Sequence, residues 1–290
     1  MPVYNCEHYL NEAIQSILHQ SYYEFDFVII NDGSTDKSSE VIRSFTDSRI
    51  VYLENDRHAG LPYTLNRGLD LINHTYIIRM DADDISLPTR FGSQISFMDA
   101  HADVGLSGTW FEEFEAGSIR YCFSDDYQRL KAQMLYTNPI GHPTVIFRNH
   151  LLKKFGLQYD PKFYYCEDYA FWPLCARKFP ISNIPEVLLK YRRHNKQIST
   201  EFAAQQKEEA IRVQISQIDL LTKLNGQTRN LYKKVLEKQL LTEEEQIKVE
   251  RLFSLLIDQN KQSRLYDPSF FKIALERIRT HTVDDDLFDQ

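Results

Sequence analysis

The chain has 290 residues, of which 42% are hydrophobic and 26% charged, and a formal net charge of −7. This balance suits a soluble globular protein large enough for one sizeable domain and an appendage, and the negative charge argues against bulk nucleic-acid binding. No apolar run reaches bilayer length, nothing at the start reads as a signal peptide, and the cysteines (Cys6, Cys122, Cys166, Cys175) form no C-x-x-C pair, so reduced thiols in a cytoplasmic setting are expected.

The first half alternates strand and helix signals. Met1 to Tyr4 reads as the end of a strand. Residues 8–19 put Leu10, Ala13, Ile14, Ile17 and Leu18 on one helical face. Phe25 to Asn31 is a buried-strand run that ends in Asp32-Gly33, a turn. Residues 35–46 read as a helix, Arg49 to Leu53 as a strand, 61–72 as a helix and Thr75 to Met80 as a strand. A helix over 88–101 and a strand from Val104 to Gly108 follow. Strands alternating with helices of this length predict a doubly wound α/β sheet. After Trp110 the pattern loosens. A polar, aromatic stretch leads to Asn138-Pro139-Ile140-Gly141-His142-Pro143, then to a strand from Thr144 to Arg148, a helix over 167–178 and an extended run from Ile184 to Tyr191. From about residue 200 the chain reads as helices over 203–224, 228–240, 242–259 and 269–280. Thr242 to Glu245 forms a capping box, and the acidic tail Asp284 to Asp289 is expected to be a solvated, frayed end. A boundary is therefore expected near residue 200, with an α/β domain over 1–200 and a helical C-terminal region over 201–290.

Four polar clusters carry the chemistry. Asp81-Ala82-Asp83-Asp84 follows a strand, where open α/β sheets bind ligands. Carboxylates packed this closely need a cation or a pKa shift, and hard oxygen ligands suit Mg²⁺ or Mn²⁺ shared with a phosphate. The plainer reading makes Asp84 or Ser86 the cap of the helix after Pro88. Asn31-Asp32-Gly33-Ser34-Thr35-Asp36 also ends a strand. Its bland role is a turn and a helix cap by Ser34 or Thr35, and its sharper role is a carboxylate for a base N–H or a ribose hydroxyl. Cys166-Glu167-Asp168-Tyr169-Ala170-Phe171-Trp172 sets two carboxylates among aromatics, either as a general base or as a cap with a core behind it. Lys190-Tyr191-Arg192-Arg193-His194-Asn195-Lys196 is a basic run in an acidic chain. It is either a solvated face or a receiver of phosphates, with His194 a metal-ligand candidate.

Taken together, Pro2-Val3-Tyr4-Asn5, Ile29 to Asp36, Arg79 to Asp84 and Glu167-Asp168-Tyr169, in this order, resemble the family 2 glycosyltransferases of GT-A fold over roughly residues 1–198. The resemblance implies a mixed, mainly parallel sheet flanked by helices. It implies that Pro2 and Tyr4 lie against a nucleotide base, Tyr4 by stacking, and that Asp32 hydrogen-bonds that base. Asp81, with Ala82 beside it, would reach the ribose or the metal shell, and Asp83 would bind Mn²⁺ or Mg²⁺ with His194 completing the shell. Arg192 or Arg193 would steady the diphosphate. Asp168 would be the catalytic base, Glu167 and Trp172 would face the acceptor, and His142 would be the main polar contact of the sugar and acceptor loop.

The implied activity is inverting, metal-dependent transfer from a nucleoside-diphosphate sugar, expected to be a UDP-sugar, to a saccharide or lipid-linked acceptor. The implied setting is bacterial surface-polysaccharide or lipopolysaccharide assembly in the cytoplasm, peripheral to the inner face of the membrane, with the C-terminal helices available for a homodimer. Two departures stand out. Relatives carry Ala-Arg-Asn where this chain has Thr64-Leu65-Asn66, so Asn66 keeps its place among the nucleotide contacts while the arginine is absent. The family's first strand also begins before Pro2, so a longer first strand is expected. The alternatives are a catalytically inactive module of the same fold and a haloacid dehalogenase-type phosphohydrolase, whose pattern Asp84-Ile85 and the late position do not fit.

Overall fold

A computed structural model describes residues 1–115, 117–194, 197–282 and 288–289. The N-terminal third forms a parallel three-stranded sheet in the order β1 (Pro2–Val3), β2 (Phe27–Asn31), β3 (Ile50–Glu54), with α1 (Leu10–Leu18), α2 (Ser38–Arg43) and α3 (Leu61–Leu71) in the crossovers. Leu10, Ala13, Ile14 and Ile17 are buried on α1, as the periodicity predicts, and pack with Ile29 and Ile42. Next come β4 (Tyr76–Ile78), β5 (Ile85–Ser86), α4 (Arg90–Ala100), β6 (Leu106–Phe114) and β7 (Arg120–Tyr121). They are followed by α5 (Tyr127–Gln133), β8 (Ile146–Arg148), α6 (Asn149–Phe155), α7 (Glu167–Ala176) and β9 (Ile181–Arg192). Parallel pairing is found in β1–β2–β3 and between β6 and β9, whereas β4–β8, β6–β8, β6–β7 and β5–β9 run antiparallel.

The strand after Asp103 runs on to Phe114 rather than stopping at Gly108, because β9 pairs beside it from Leu106 to Phe114. The loose stretch after Trp110 contains α5, whose start is capped by the Asp126 side chain, and the charged segment after β8 forms α6. Neither helix has a strong apolar stripe in the sequence. Asp84 and Ser86 cap nothing: α4 begins at Arg90, and Ser86 accepts a hydrogen bond from Gln20. Ser34 and Thr35 likewise do not cap α2, where Asp36 accepts from the Ser38 amide.

The C-terminal region holds α8 (Ile198–Glu201), α9 (Ala203–Ile218), α10 (Gly226–Leu236), α11 (Glu243–Ser263) and α12 (Pro268–Thr280). Ile211, Ile215, Ile218 and Leu221 are buried, so this stripe serves packing. They share a core with Ala132 and Leu135, at and just beyond α5, so the helical region is seated on the α/β part through this short helix. The Thr242–Glu245 capping box is present at the start of α11. At the tail, 284–287 lie outside the described residues, whereas β10 (Phe288–Asp289) pairs with β7 instead of fraying.

β1 is short, and beyond Met1 a cavity of about 800 Å³ opens between the edges of β2 and β4, lined by Pro2, Val28, Ile30, Ile77 and Arg79 among others. The Met1 amine is buried at this cavity and donates to the Val28 carbonyl at 2.9 Å. Burial, with the charge of Arg79, lowers its pKa to about 5.

Candidate active site

The ends of β2 and β4, the start of α7 and the residues after β9 meet at one edge of the sheets. Asp83 and His194 lie 111 positions apart in sequence, yet the Asp83 carboxylate and His194 Nε2 are 3.0 Å apart. The His194 ring stacks on Tyr9, at 4.7 Å between centroids, and the Arg192 guanidinium donates to the Asp83 carbonyl at 2.7 Å, so both ligand candidates are held from behind. A hard carboxylate oxygen beside an imidazole nitrogen fits Mn²⁺ or Mg²⁺. Among the described residues there is no group of three or more His, Cys, Asp or Glu able to hold an ion. A metal here would thus take two protein ligands and rely on substrate phosphate for others, a usual arrangement for Mg²⁺.

Asp81 is tied up by Arg79, a buried residue whose two terminal nitrogens lie 2.6 and 2.5 Å from the two Asp81 oxygens. Burial raises the Asp81 pKa and Asp83 adds to the rise, with Arg79 opposing. Asp84 is fully buried. One of its oxygens accepts the Arg192 amide at 2.9 Å and the other has no hydrogen-bond partner. Burial, followed by the charges of Asp83 and Asp81, pushes its carboxyl well above the usual range. The cluster therefore divides its contacts: Asp83 meets His194, Asp81 faces Arg79, and Asp84 anchors the end of β9. Ala82 is buried, and its carbonyl accepts from the Cys6 thiol at 3.3 Å.

At the start of α7 the two carboxylates also part company. Asp168 is partly exposed, and one of its oxygens accepts from Asn138 at 2.8 Å while the other accepts from the Tyr169 amide at 2.7 Å. Burial raises its pKa, opposed by these two donors and by Arg79. Glu167 is buried, and desolvation followed by the charge of Asp168 pushes its pKa up to about 8. His142 lies 4.0 Å from Glu167, meets the Tyr159 hydroxyl at 3.1 Å and packs edge-on to Trp172. Burial and Arg79 hold the His142 pKa well below its usual value. Burial thus favours the uncharged form of both Glu167 and His142.

The sign of the Glu167 effect is testable. Its ordinary value is 4.5 and its folded value about 8, so between those values the native state keeps a proton that the unfolded chain has lost. Native stability therefore falls as pH rises through that window. Glu167→Gln cannot ionise, and its stability relative to wild type should increase by about 1–3 kcal/mol between about pH 5 and about pH 8. Unfolding curves at both pH values test this, and a pH-independent difference would contradict it.

At the end of β2, Asp32 is buried and fully engaged. It accepts from Asn55 Nδ2 at 2.5 Å, from the Ala59 amide at 3.0 Å and from the Gly60 amide at 2.9 Å, and it pairs with His58 Nδ1 at 2.8 Å. Asp32 thereby folds the 55–60 loop over the Gly33 turn. Gly33 has φ +69°, and a Cβ there would lie 2.6 Å from the backbone of Arg57 and His58, so only glycine fits. Tyr4 is exposed beside Pro2, and its ring stacks on His58.

Several expected contacts are corrected by this geometry. Arg192 is buried between Glu12 and Glu115, with its guanidinium over the rings of Tyr9 and Phe114, so its charge is neutralised within the protein. Arg193 pairs with Glu113 at 2.8 Å. Neither arginine is presented to a diphosphate, because carboxylates on α1 and β6 reach them first. Asn66 uses both ends of its amide on the Tyr159 backbone, each at 2.8 Å, and so clamps that loop instead of facing a nucleotide. Trp172 is completely buried in the core and cannot face an acceptor. Glu167 and His142 lie behind Asp168 rather than in an open cleft. Asn195 and Lys196 lie outside the described residues.

Three residues escaped the sequence reading. Arg79 carried a signal, a cation inside an apolar strand directly before the carboxylates. Asn138 lay in the flagged loop but looked like a turn residue before Pro139. His58 had no signal, since its partners are 26 and 54 positions away by number.

The sequence profile described as glycosyl transferase family 2 matches residues 1–155. An uncharacterized glycosyltransferase of Haemophilus influenzae is 32% identical over 223 residues, covering 72% of this chain and 69% of the relative. The amylovoran biosynthesis glycosyltransferase AmsE of Erwinia amylovora is 32% identical over 190 residues, covering 63% and 70%. Among solved structures, S. aureus TarS 1–349 in complex with UDP-GlcNAc superposes with a TM-score of 0.65 at 16% identity, covering 98% of this chain and 91% of that one. The mannosyltransferase PcManGT from Pyrobaculum calidifontis, in complex with GDP-Man and Mn²⁺, gives 0.57 at 15% identity, covering 96% and 85%. At these identities the structural likeness speaks to the fold.

Proposed function

This chain belongs to glycosyl transferase family 2, and from that premise we propose that it transfers a hexosyl group from a nucleoside-diphosphate sugar to an acceptor hydroxyl, with inversion at the anomeric carbon. The observation that carries the reading is the meeting of Asp83 and His194 at 3.0 Å across 111 positions of sequence. A carboxylate and an imidazole brought together from distant segments, beside a second partly exposed carboxylate, suit a diphosphate leaving group and a hydroxyl nucleophile.

In this reading Asp168 takes the proton from the acceptor hydroxyl as that oxygen attacks the anomeric carbon. The bond to the diphosphate oxygen breaks in the same displacement, and the diphosphate leaves with the electron pair. Asn138 fixes the Asp168 carboxylate by its 2.8 Å hydrogen bond. Asp83 and His194 would hold Mn²⁺ or Mg²⁺, which when bound would neutralise the charge growing on the departing diphosphate. Arg79 fixes Asp81 and sets a positive centre between the two carboxylate clusters.

A UDP-sugar is the proposed donor. Support comes from a structural neighbour solved with UDP-GlcNAc. A role in polysaccharide assembly on a saccharide or lipid-linked acceptor is supported by the amylovoran relative. Among the described residues no helix is long and apolar enough to cross a membrane. Peripheral association with the inner membrane face is part of the proposal. Ile247, Leu255 and Ile273, exposed on α11 and α12, are the surface through which a homodimer is proposed. Thermal-shift screening of nucleotide sugars with Mn²⁺ tests the donor assignment. A UDP-sugar should raise the midpoint above that of the other nucleotide sugars, and stabilisation by none of them would overturn the reading.

A further inference from the structure

We propose that the His58 side chain occupies the base-binding slot and must swing out before a nucleotide can seat. The proposal rests on the reading of Tyr4 and Asp32 as base contacts. It starts from what the imidazole already does. Its ring stacks on Tyr4 at 3.8 Å between centroids with 21° between planes, and its Nδ1 lies 2.8 Å from the Asp32 carboxylate. A flat heteroaromatic ring with a ring N–H offers the same two contacts as a uracil, a stacking face and a donor to a carboxylate. His58 therefore fills the chemical place expected for the base.

Of the four groups that Asp32 holds, His58 is the removable one. Its side chain is 50% exposed, whereas the Asn55 side chain and the Gly60 amide bond to Asp32 in buried positions. The His58 backbone is fixed against Gly33, and the neighbouring Ala59 and Gly60 amides stay on Asp32, so the ring can leave without unfolding the loop. Displacing it opens one face of Tyr4 and one acceptor position on Asp32 together. A slot that is filled in most molecules reduces apparent affinity by the fraction left open. If about nine-tenths of the molecules are plugged, nucleotide binds about ten-fold more weakly than to an open slot. His58 is then a selectivity element, since a ligand must supply both contacts to replace it.

Calorimetric titration of the full chain with UDP and Mn²⁺ tests this. His58→Ala should tighten UDP binding by about five- to ten-fold and lower the KM of donor hydrolysis in the same proportion. Unchanged or weaker UDP binding would overturn the proposal and make His58 a loop staple. Should His58→Ala fail to give a cooperative unfolding transition, His58→Val, too short to cover Tyr4 and unable to donate to Asp32, should give the same tightening. The underlying reading is tested separately by adding Tyr4→Ala to His58→Ala. Loss of the stack should weaken UDP by about five-fold or more relative to the single variant. Equal affinity would mean that the base does not sit on Tyr4, which sinks the base-slot reading itself.

Discussion

Asp168→Asn should lower turnover by about 10³-fold while leaving UDP affinity within about two-fold, because general-base removal typically costs 10²–10⁴. The substitution keeps shape and preserves the oxygen that accepts from the Tyr169 amide at 2.7 Å, so the start of α7 should survive. What it removes is the ability to accept a proton. Glu167→Gln provides the contrast. Glu167 is buried and, with its pKa pushed up to about 8, already carries a proton near neutral pH. A glutamine there imitates the existing state, and turnover near pH 7 should stay within about three-fold of wild type. Initial rates of both variants across a pH series decide between the two carboxyls. A large loss for Glu167→Gln with little for Asp168→Asn would exchange their roles.

Asp83→Ala should reduce Mn²⁺-dependent turnover by at least about 10²-fold, since transition-state charge stabilisation of this kind contributes several kcal/mol. The fold should be spared. The Asp83 backbone carbonyl, which accepts from Arg192 at 2.7 Å, remains, and the side chain makes its bond with His194 in a partly exposed position. His194→Ala should act in the same direction and shift the Mn²⁺ concentration for half-activation upward. Arg192→Ala should behave differently. It removes a buried cation from between Glu12 and Glu115 and should lower the unfolding midpoint, whatever it does to rate. Comparing unfolding midpoints with Mn²⁺ titrations separates the ligand from the scaffold.

The contrast between Asp83 and Arg192 shows where sequence reading succeeds. Strand ends are legible because an apolar run, its length and the polar break after it are local properties. Asp32 and Asp81 are therefore legible as strand-end carboxylates, but the expectation of a single sheet edge is corrected, because β2 and β4 belong to different sheets. The division of labour within Asp81-Ala82-Asp83-Asp84 was only partly legible. Arg79, two positions earlier, decides the role of Asp81, and the Arg192 amide, 108 positions later, decides that of Asp84.

The basic run that begins at the end of β9 was misleading for a related reason. Unpaired in sequence, it looked ready for phosphate. In space its arginines are answered by Glu12 on α1 and by Glu113 and Glu115 at the end of β6. Trp172 and Asn66 fail in the same way. A tryptophan beside carboxylates resembles an acceptor platform until the helix turns it into the core. An asparagine in a motif position resembles a ligand contact until its partner, the Tyr159 backbone, is known.

Time-resolved proton NMR of donor turnover with Mn²⁺ tests the central claim most directly. With an α-linked UDP-sugar, the account predicts stoichiometric release of UDP and first appearance of the β-anomer of the transferred or hydrolysed sugar. Asp83→Ala and Asp168→Asn should abolish both signals. First appearance of the α-anomer, or sugar release that is indifferent to Asp83 and Asp168, would contradict it.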